Sequence, residues 1–283
     1  MNMTHAQCRR DALQALGEAI ALYDAERNTA FANLVKLPQA GSLTLLGDST
    51  KIVKGEAIKV LTTVLYLAPA NEARIVNTCP WATKACTAGC LGHTAGQMVF
   101  STSKNSRIWK TILWKLCREE FYALLQFEIA AHERKARKAN MIPAVRLDGT
   151  SDLGLAGLIA PSNAGVTFYD YTKSLSRAVE QGGKRGLSNW HITFSRSGEN
   201  DPECAAVLKS GGNVAAVFAT EDENDFPETF MGYPTLNADT TDARFLDEPG
   251  HVGCLTWKGP LANAAAPFAV SCEGHVPTAG FTL

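Results

Sequence analysis

Three cysteines within twelve residues, Cys79, Cys86 and Cys90, stand in the stretch "NTCPWATKACTAGCLGHTAG" with six and then three residues between them. In a helical turn Cys86 and Cys90 share a face, and three thiolates directed at one point suit a soft metal. Two metal chemistries fit the pattern. Three cysteines can hold a [4Fe–4S] cluster and leave the fourth iron open for a further ligand. Alternatively, Cys79, Cys86 and Cys90 with His93 as fourth ligand would form a Cys3His zinc site. The simplest other reading is a tight buried turn of small residues. A disulfide loop is disfavoured by the reducing compartment expected below.

A second group of chemistry-bearing residues sits at the ends of strand-like runs: "RLDGTSD", "FYDYTK", "HITFSRSGEN", "FATED", "NADTTDARFLD" and "CLTWKG". Chemistry in parallel α/β folds gathers at the carboxyl ends of strands. Asp170, Lys173, Asp239 and Asp242 are the catalytic candidates, as carboxylates and a cation able to move protons or hold charge. Asp148, Gly149, Thr150, Ser151, Asp152, Ser195 and Arg196 are the cofactor-binding candidates. The competing reading for each Asp or Ser is a cap on the helix that follows.

The elements that must position these groups are legible in outline. Leu13, Leu16, Ala19, Ile20 and Tyr23 recur at helical spacing near the N-terminus. "KVLTTVLYLAP" predicts a buried strand that stops at Pro69 and delivers the chain to the cysteines. "NSRIWKTILWKLCREEFYALLQFEIAAHERKARKAN" predicts one long amphipathic helix without Gly or Pro. Beyond Asn140, strand-like runs alternate with helical segments such as "KSLSRAVEQGG" and "DPECAAVLKSGG". This period predicts a parallel (β/α) barrel or partial barrel of about six to seven βα units, or an open doubly wound sheet. Residues 1–45 read as an N-terminal helical extension and 46–283 as one barrel-like, metal-binding domain.

Bulk properties narrow the function classes. Apolar residues make up 46% and charged residues 19% of 283, with a net charge of −1, so no global basic footprint points to nucleic acid. No run approaches a membrane span, and charges interrupt the N-terminus where a signal peptide would be apolar. The expectation is a cytoplasmic protein with no membrane partner. Walker, dinucleotide and His-Glu-x-x-His motifs are missing from the sequence.

The stretches "KGE" (Lys54 to Glu56), "NTCPWATKACTAGCL", "SRIWKT", "RLDGTSDL", "FYDYTK", "ITFSRSGEN", "TDARFLDEPG" and "WKG" occur in this order. In them the chain resembles the phage and prophage gene product 88 domain family. That resemblance implies a phage gene acting in a host cytoplasm. The layout of a cysteine loop after the first strand and an acidic, glycine-containing turn after the second also resembles radical S-adenosylmethionine barrels. That resemblance implies a [4Fe–4S] cluster on Cys79, Cys86 and Cys90 with S-adenosylmethionine as cofactor, and a nucleotide, nucleic-acid base or peptide as substrate. Two alternatives stand beside it. One is a zinc-containing TIM-barrel transglycosylase that exchanges DNA bases with Asp170, Asp239 and Asp242 as its carboxylates. The other is a non-enzymatic, zinc-stapled protein that binds a host factor.

Overall fold

The computed structural model describes residues 3–27, 31–48, 53–94, 96–182, 186–264 and 267–272, with the side chains of 34, 93, 94, 97 and 182 outside the description. Helix α1 (His5–Arg27) buries the i, i+4 stripe Cys8, Ala12, Leu16 and Ile20. Leu13, Ala19 and Tyr23 flank that stripe and are partly buried. Strand β1 (Leu46–Gly47) pairs antiparallel with β2 (Val60–Leu65), whose six residues are all buried. The cysteine loop follows, with two short helices, α2 (Lys84–Ala88) and α3 (Leu91–Thr94).

The single long helix expected next is two helices, α4 (Ser101–Leu116) and α5 (Arg118–Lys138), broken at Cys117 with φ −125° and ψ 65°. Glu119 and Glu120 fall in the first turn of α5, where the positive end of the helix dipole favours acids. Strands and helices then alternate: β3 (Ile142–Arg146), α6 (Ala156–Ile159), β4 (Thr167–Thr172), α7 (Leu175–Gly182), β5 (Trp190–Ser195), α8 (Asp201–Lys209) and β6 (Asn213–Phe218). Four strands complete the chain: β7 (Thr229–Phe230), β8 (Tyr233–Asn237), β9 (Val252–Thr256) and β10 (Ala269–Val270).

The strands form one mixed sheet ordered β1-β2-β3-β4-β5-β6-β9-β8-β7, with β10 beside β6. This corrects the expected parallel (β/α) barrel of six to seven units. The pairings run through a single mixed sheet, and among the described residues β1 and β7 do not pair with each other. Two features of the chain path account for the difference. Strand β9 enters between β6 and β8, out of sequence order. Both ends of the path are two-residue strands joined antiparallel to their neighbours, so neither end extends the parallel series.

Alternation along each strand sorts side chains to two faces. Leu65, Val145 and Phe168 share a core with α1, α4 and α5, while Phe194, Val214 and Cys254 share a second core with α7 and α8. On the opposite face Val60, Ala144 and Tyr169 pack with Ala243 and the partly buried Phe245, from the segment between β8 and β9. Strands β2 to β6, β8 and β9 run parallel, so their exit loops gather along one edge. Among the described residues no helix is long and apolar enough to cross a membrane.

Candidate functional site

The cysteine loop begins where β2 runs out. The Thr78 hydroxyl donates to the Ala68 carbonyl at 2.5 Å, and the Asp152 amide donates to the Thr78 carbonyl at 2.9 Å. These bonds pin the loop after β2 to the loop after β3. Cys79 lies at that junction. Its sulfur accepts from the Ala70 amide at 3.3 Å and donates to the Thr150 carbonyl at 3.6 Å. Cys86 lies in α2, whose start is capped twice: Thr83 Oγ1 accepts from the Cys86 amide at 3.1 Å, and Glu199 Oε1 accepts from the Ala85 amide at 3.0 Å. Cys90 lies between Gly89 and Gly92, and both glycines are required by close approach. A Cβ at Gly89 would stand 2.8 Å from the Phe268 ring, and one at Gly92 would stand 2.8 Å from Pro69.

Burial pushes the Cys79 and Cys90 thiols up, and neighbouring thiols add to the rise: Cys90 and Cys86 act on Cys79, and Cys86 acts on Cys90. Lys173 and Arg107 pull Cys90 back down. Cys90 is therefore the thiol that feels both a neighbouring sulfur and two cations. Among the described residues no three His, Cys, Asp or Glu side chains converge as a one-ion site. The His93 side chain, expected as a fourth ligand, lies outside the described residues.

The "RLDGTSD" turn is built around one carboxylate. Asp148 accepts from the Ser151 hydroxyl at 2.6 Å and from the amides of Leu153, Gly154 and Leu155 at 3.0, 2.7 and 3.2 Å. Asp152 accepts from the Thr172 hydroxyl, the Lys173 amide and the Arg177 guanidinium. Asp148 and Ser151 thus spend their polar atoms inside the turn, and Asp152 ties it to the end of β4 and to α7. What the turn offers outward is Gly149 and Thr150. A Cβ on Gly149 would come within 2.6–2.8 Å of Val64, Tyr66 and the Leu65 carbonyl. Thr150 donates to the Leu67 carbonyl at 2.5 Å.

Asp170 sits beneath this turn and accepts from the Asp148 amide at 2.8 Å through Oδ1, while Oδ2 is buried and has no hydrogen-bond partner within reach among the described residues. Burial first, and then the Asp148 charge, raise its pKa well above the ordinary value. Lys173 donates to the Ser195 hydroxyl at 3.0 Å. Arg196 braces the segment before β10 by donating to the carbonyls of Pro267 and Phe268, and it pairs with Asp201.

Asp239 and Asp242 stand on the wall of a cleft of about 950 Å³, together with Gly149, Thr150, Arg146 and Lys258. Gly89 and Leu91, which flank Cys90, line the same cleft. Asp239 accepts from the Thr256 amide and hydroxyl, both at 2.7 Å, and pairs with Lys258 at 3.2 Å. Lys54 donates to the Asp239 carbonyl at 3.0 Å. Asp242 pairs with Arg146 at 3.3 Å and accepts from the Tyr169 hydroxyl at 3.0 Å. Burial opposes the Arg146 charge, but Asp242 and nearby tyrosines raise its pKa overall. Its guanidinium carbon lies 4.7 Å above the Tyr171 ring. The structure therefore brings Asp239, Asp242, Gly149 and Thr150 to one cleft bordered by the cysteine loop. Asp170 and the carboxylates of Asp148 and Asp152 are engaged behind it.

Arg107, Lys110 and Thr111 on α4 were read from sequence only as helix. Arg107 is buried and donates to the carbonyls of Gly92 and Met98 at 3.2 and 3.0 Å. It also pairs with Glu72 at 3.4 Å. Thr111 accepts from the Ala68 amide at 2.8 Å, and Lys110 donates to the Leu45 carbonyl at 2.8 Å. The available signal was two cations interrupting an otherwise apolar stretch that contains Ile108 and Trp109.

No curated protein and no solved structure matches the chain. The family model described as gene product 88 matches residues 38–272, a span that contains the cysteine loop, Arg107, the "RLDGTSD" turn and both cleft aspartates. The chain belongs to the gene product 88 family.

Proposed function

We propose that this protein is a phage-encoded iron–sulfur enzyme in which Cys79, Cys86 and Cys90 hold a [4Fe–4S] cluster beside the cleft. The observation that carries the reading is the junction at Cys79. The loop bearing the thiols and the Gly149–Thr150 backbone meet there, and both border the same cleft of about 950 Å³, large enough for a cofactor-sized ligand. The donor set fits a cluster. It consists of three thiols on one loop, and thiolates are the ligands such clusters take. In the metal-free chain burial keeps Cys79 and Cys90 protonated, so loading releases protons and becomes more favourable as pH rises.

With a low-potential electron donor, a cluster of this kind supplies one-electron reduction of S-adenosylmethionine. The chain's own residues do the positioning. Gly149 and Thr150 line the cleft beside the cofactor, and the missing side chain of Gly149 lets their turn pack closely on Val64 and Tyr66. Asp148 and Asp152 hold that turn in shape. On the cleft wall Asp239, Asp242, Arg146 and Lys258 set the charge around a polar substrate, of the class of a nucleotide, nucleic-acid base or peptide. The test is anaerobic reconstitution with iron and sulfide, followed by reduction with S-adenosylmethionine present. The expected product is 5′-deoxyadenosine, absent from the Cys79→Ala, Cys86→Ala, Cys90→Ala triple variant. A reconstituted, reducible cluster that yields no 5′-deoxyadenosine would remove the cofactor from the reading.

A second reading is favoured by the two aspartates standing together on the cleft wall: zinc on the thiols, with Asp239 and Asp242 driving exchange of a nucleic-acid base. One zinc without sulfide, and incorporation of labelled guanine into DNA, would establish it in place of the first.

A further inference from the structure

The charges that line the cleft are already matched. Four cations and four carboxylates stand on its wall. Lys258 pairs with Asp239, and Arg146 pairs with Asp242. Arg107 is turned to Glu72, while Lys110 donates to the Leu45 carbonyl and feels the Glu128 charge. Each lining cation thus has a carboxylate beside it. The two aspartates are committed as well: Asp239 takes the Thr256 amide and hydroxyl, and Asp242 takes the Tyr169 hydroxyl. The unmet demand is for an acceptor. Arg146 spends Nη1 on Asp242, and its Nε is buried with no hydrogen-bond partner among the described residues. Around it the wall is apolar, with Tyr66, Val217, Leu255 and Phe268. Arg146, Val217 and Leu255 alternate along β3, β6 and β9 with the core residues Val145, Phe218 and Cys254, so they stand on the opposite face of the sheet. Tyr66 is fixed there by the turn after β3, since a Cβ on Gly149 would come 2.7 Å from its ring.

We infer that the cleft receives a neutral, flat heterocycle, a nucleobase entering as base or nucleoside, whose acceptor edge meets Arg146. The inference rests on the reading of the cleft as the substrate site and chooses among the three substrate classes named for it; it needs no metal on the thiols. A phosphate is held by cations with charge to spare, and the described wall has none. Placed at Arg146 it would also meet the Asp242 carboxylate, 3.3 Å from the guanidinium. An amine needs open acceptors, and both cleft aspartates already accept from amide, hydroxyl or cation donors. Asp48 and Glu221 are exposed, where water screens what they attract. An apolar wall with aromatic surface and one unsatisfied donor suits a ring with a polar edge. Guanine carries two acceptors, O6 and N7, side by side, the pair an arginine takes most often. Adenine carries an acceptor beside a donor there. A guanine nucleoside therefore suits this edge best.

The test is isothermal titration of the full chain, as purified, with guanosine and, separately, with adenosine, guanosine 5′-monophosphate, inorganic phosphate, spermidine and an acetylated trialanine amide. Guanosine is expected to bind about tenfold more tightly than adenosine. The 5′-monophosphate should bind within about threefold of guanosine, because no spare cation receives its phosphate. Arg146→Lys leaves a cation for Asp242 but removes the guanidinium fork. It should weaken guanosine about tenfold and bring it level with adenosine. Leu255→Phe touches no charge and fills part of the cleft; it should weaken both nucleosides alike, and it carries the test if Arg146→Lys fails to fold. No guanosine binding, adenosine binding as tightly, or affinities unchanged in the folded variants would overturn the inference. Tighter binding of the monophosphate with competition by inorganic phosphate would also overturn it, and so would binding of spermidine or the peptide in place of guanosine. The iron–sulfur reading is decided apart from this, by metal content. A chain that binds guanosine and takes no iron keeps the inference, and one that takes a cluster and binds no nucleoside loses it.

Discussion

Asp148 shows how one side chain can set the shape of a turn. Its carboxylate takes one hydroxyl and three amides of its own turn. Replacing Asp148 by Ala strands those buried donors, and the expected loss is about 3 kcal/mol of stability, read as a lower urea midpoint. Gly149→Ala is expected to cost about 2 kcal/mol through overpacking against Val64 and Tyr66, checked by the same titration. Asp170 supplies a pH signature. Folding raises its pKa well above 3.8, so the folded chain keeps a proton that the unfolded chain has released, and this group's contribution falls as pH rises through that window. Asp170→Asn keeps the acceptor for the Asp148 amide and removes the titration. The variant should gain stability relative to wild type at about pH 8 and lose that advantage towards about pH 4, measured by denaturation midpoints across the range.

At the scale of elements, the cysteine loop is held from three sides. Helix α4 reaches it through Arg107, the loop after β5 caps α2 through Glu199, and the loop after β3 meets it at Thr150. Arg107→Lys keeps a charge but loses the fork that bridges Gly92, Met98 and Glu72. The expected outcome is less iron bound per chain after reconstitution, with helical circular dichroism unchanged. Helix α5 makes the other buried anchor: Glu128 accepts from the amides of Leu45 and Leu46. Burial lowers the Lys110 pKa to about 8, and the Glu128 charge opposes that fall. Glu128→Ala strands the Leu45 and Leu46 amides and should cost about 2 kcal/mol, read from the denaturation midpoint.

At the scale of the molecule, the strands and the alternation of β3 to β6 with helices were legible because each has its own period and turn chemistry. "KVLTTVLYLAP" contains β2, and "NWHITFSRS" contains β5. The order of strands was not legible. Nothing local to "HVGCLTWKG" says that β9 enters between β6 and β8, and the two-residue strands β1 and β7 are too short to leave a pattern. The break at Cys117 has no Gly or Pro to announce it. Of the candidate site, both aspartates that line the cleft could be picked out by type and position. The inward use of Asp148 and Asp152 could not, because a capping carboxylate and a ligand-binding one look alike in sequence. Nor could the role of Arg107, which depends on contacts to Gly92 and Met98 made only on folding. What would unify these parts is the metal centre proposed at the head of the cleft. It is tested most directly by iron, zinc and acid-labile sulfide content after strictly anaerobic purification, beside the triple Cys79→Ala, Cys86→Ala, Cys90→Ala variant. About four irons and four sulfides per chain, lost in the variant, are predicted; one zinc without sulfide, or no metal at all, would contradict the iron–sulfur reading.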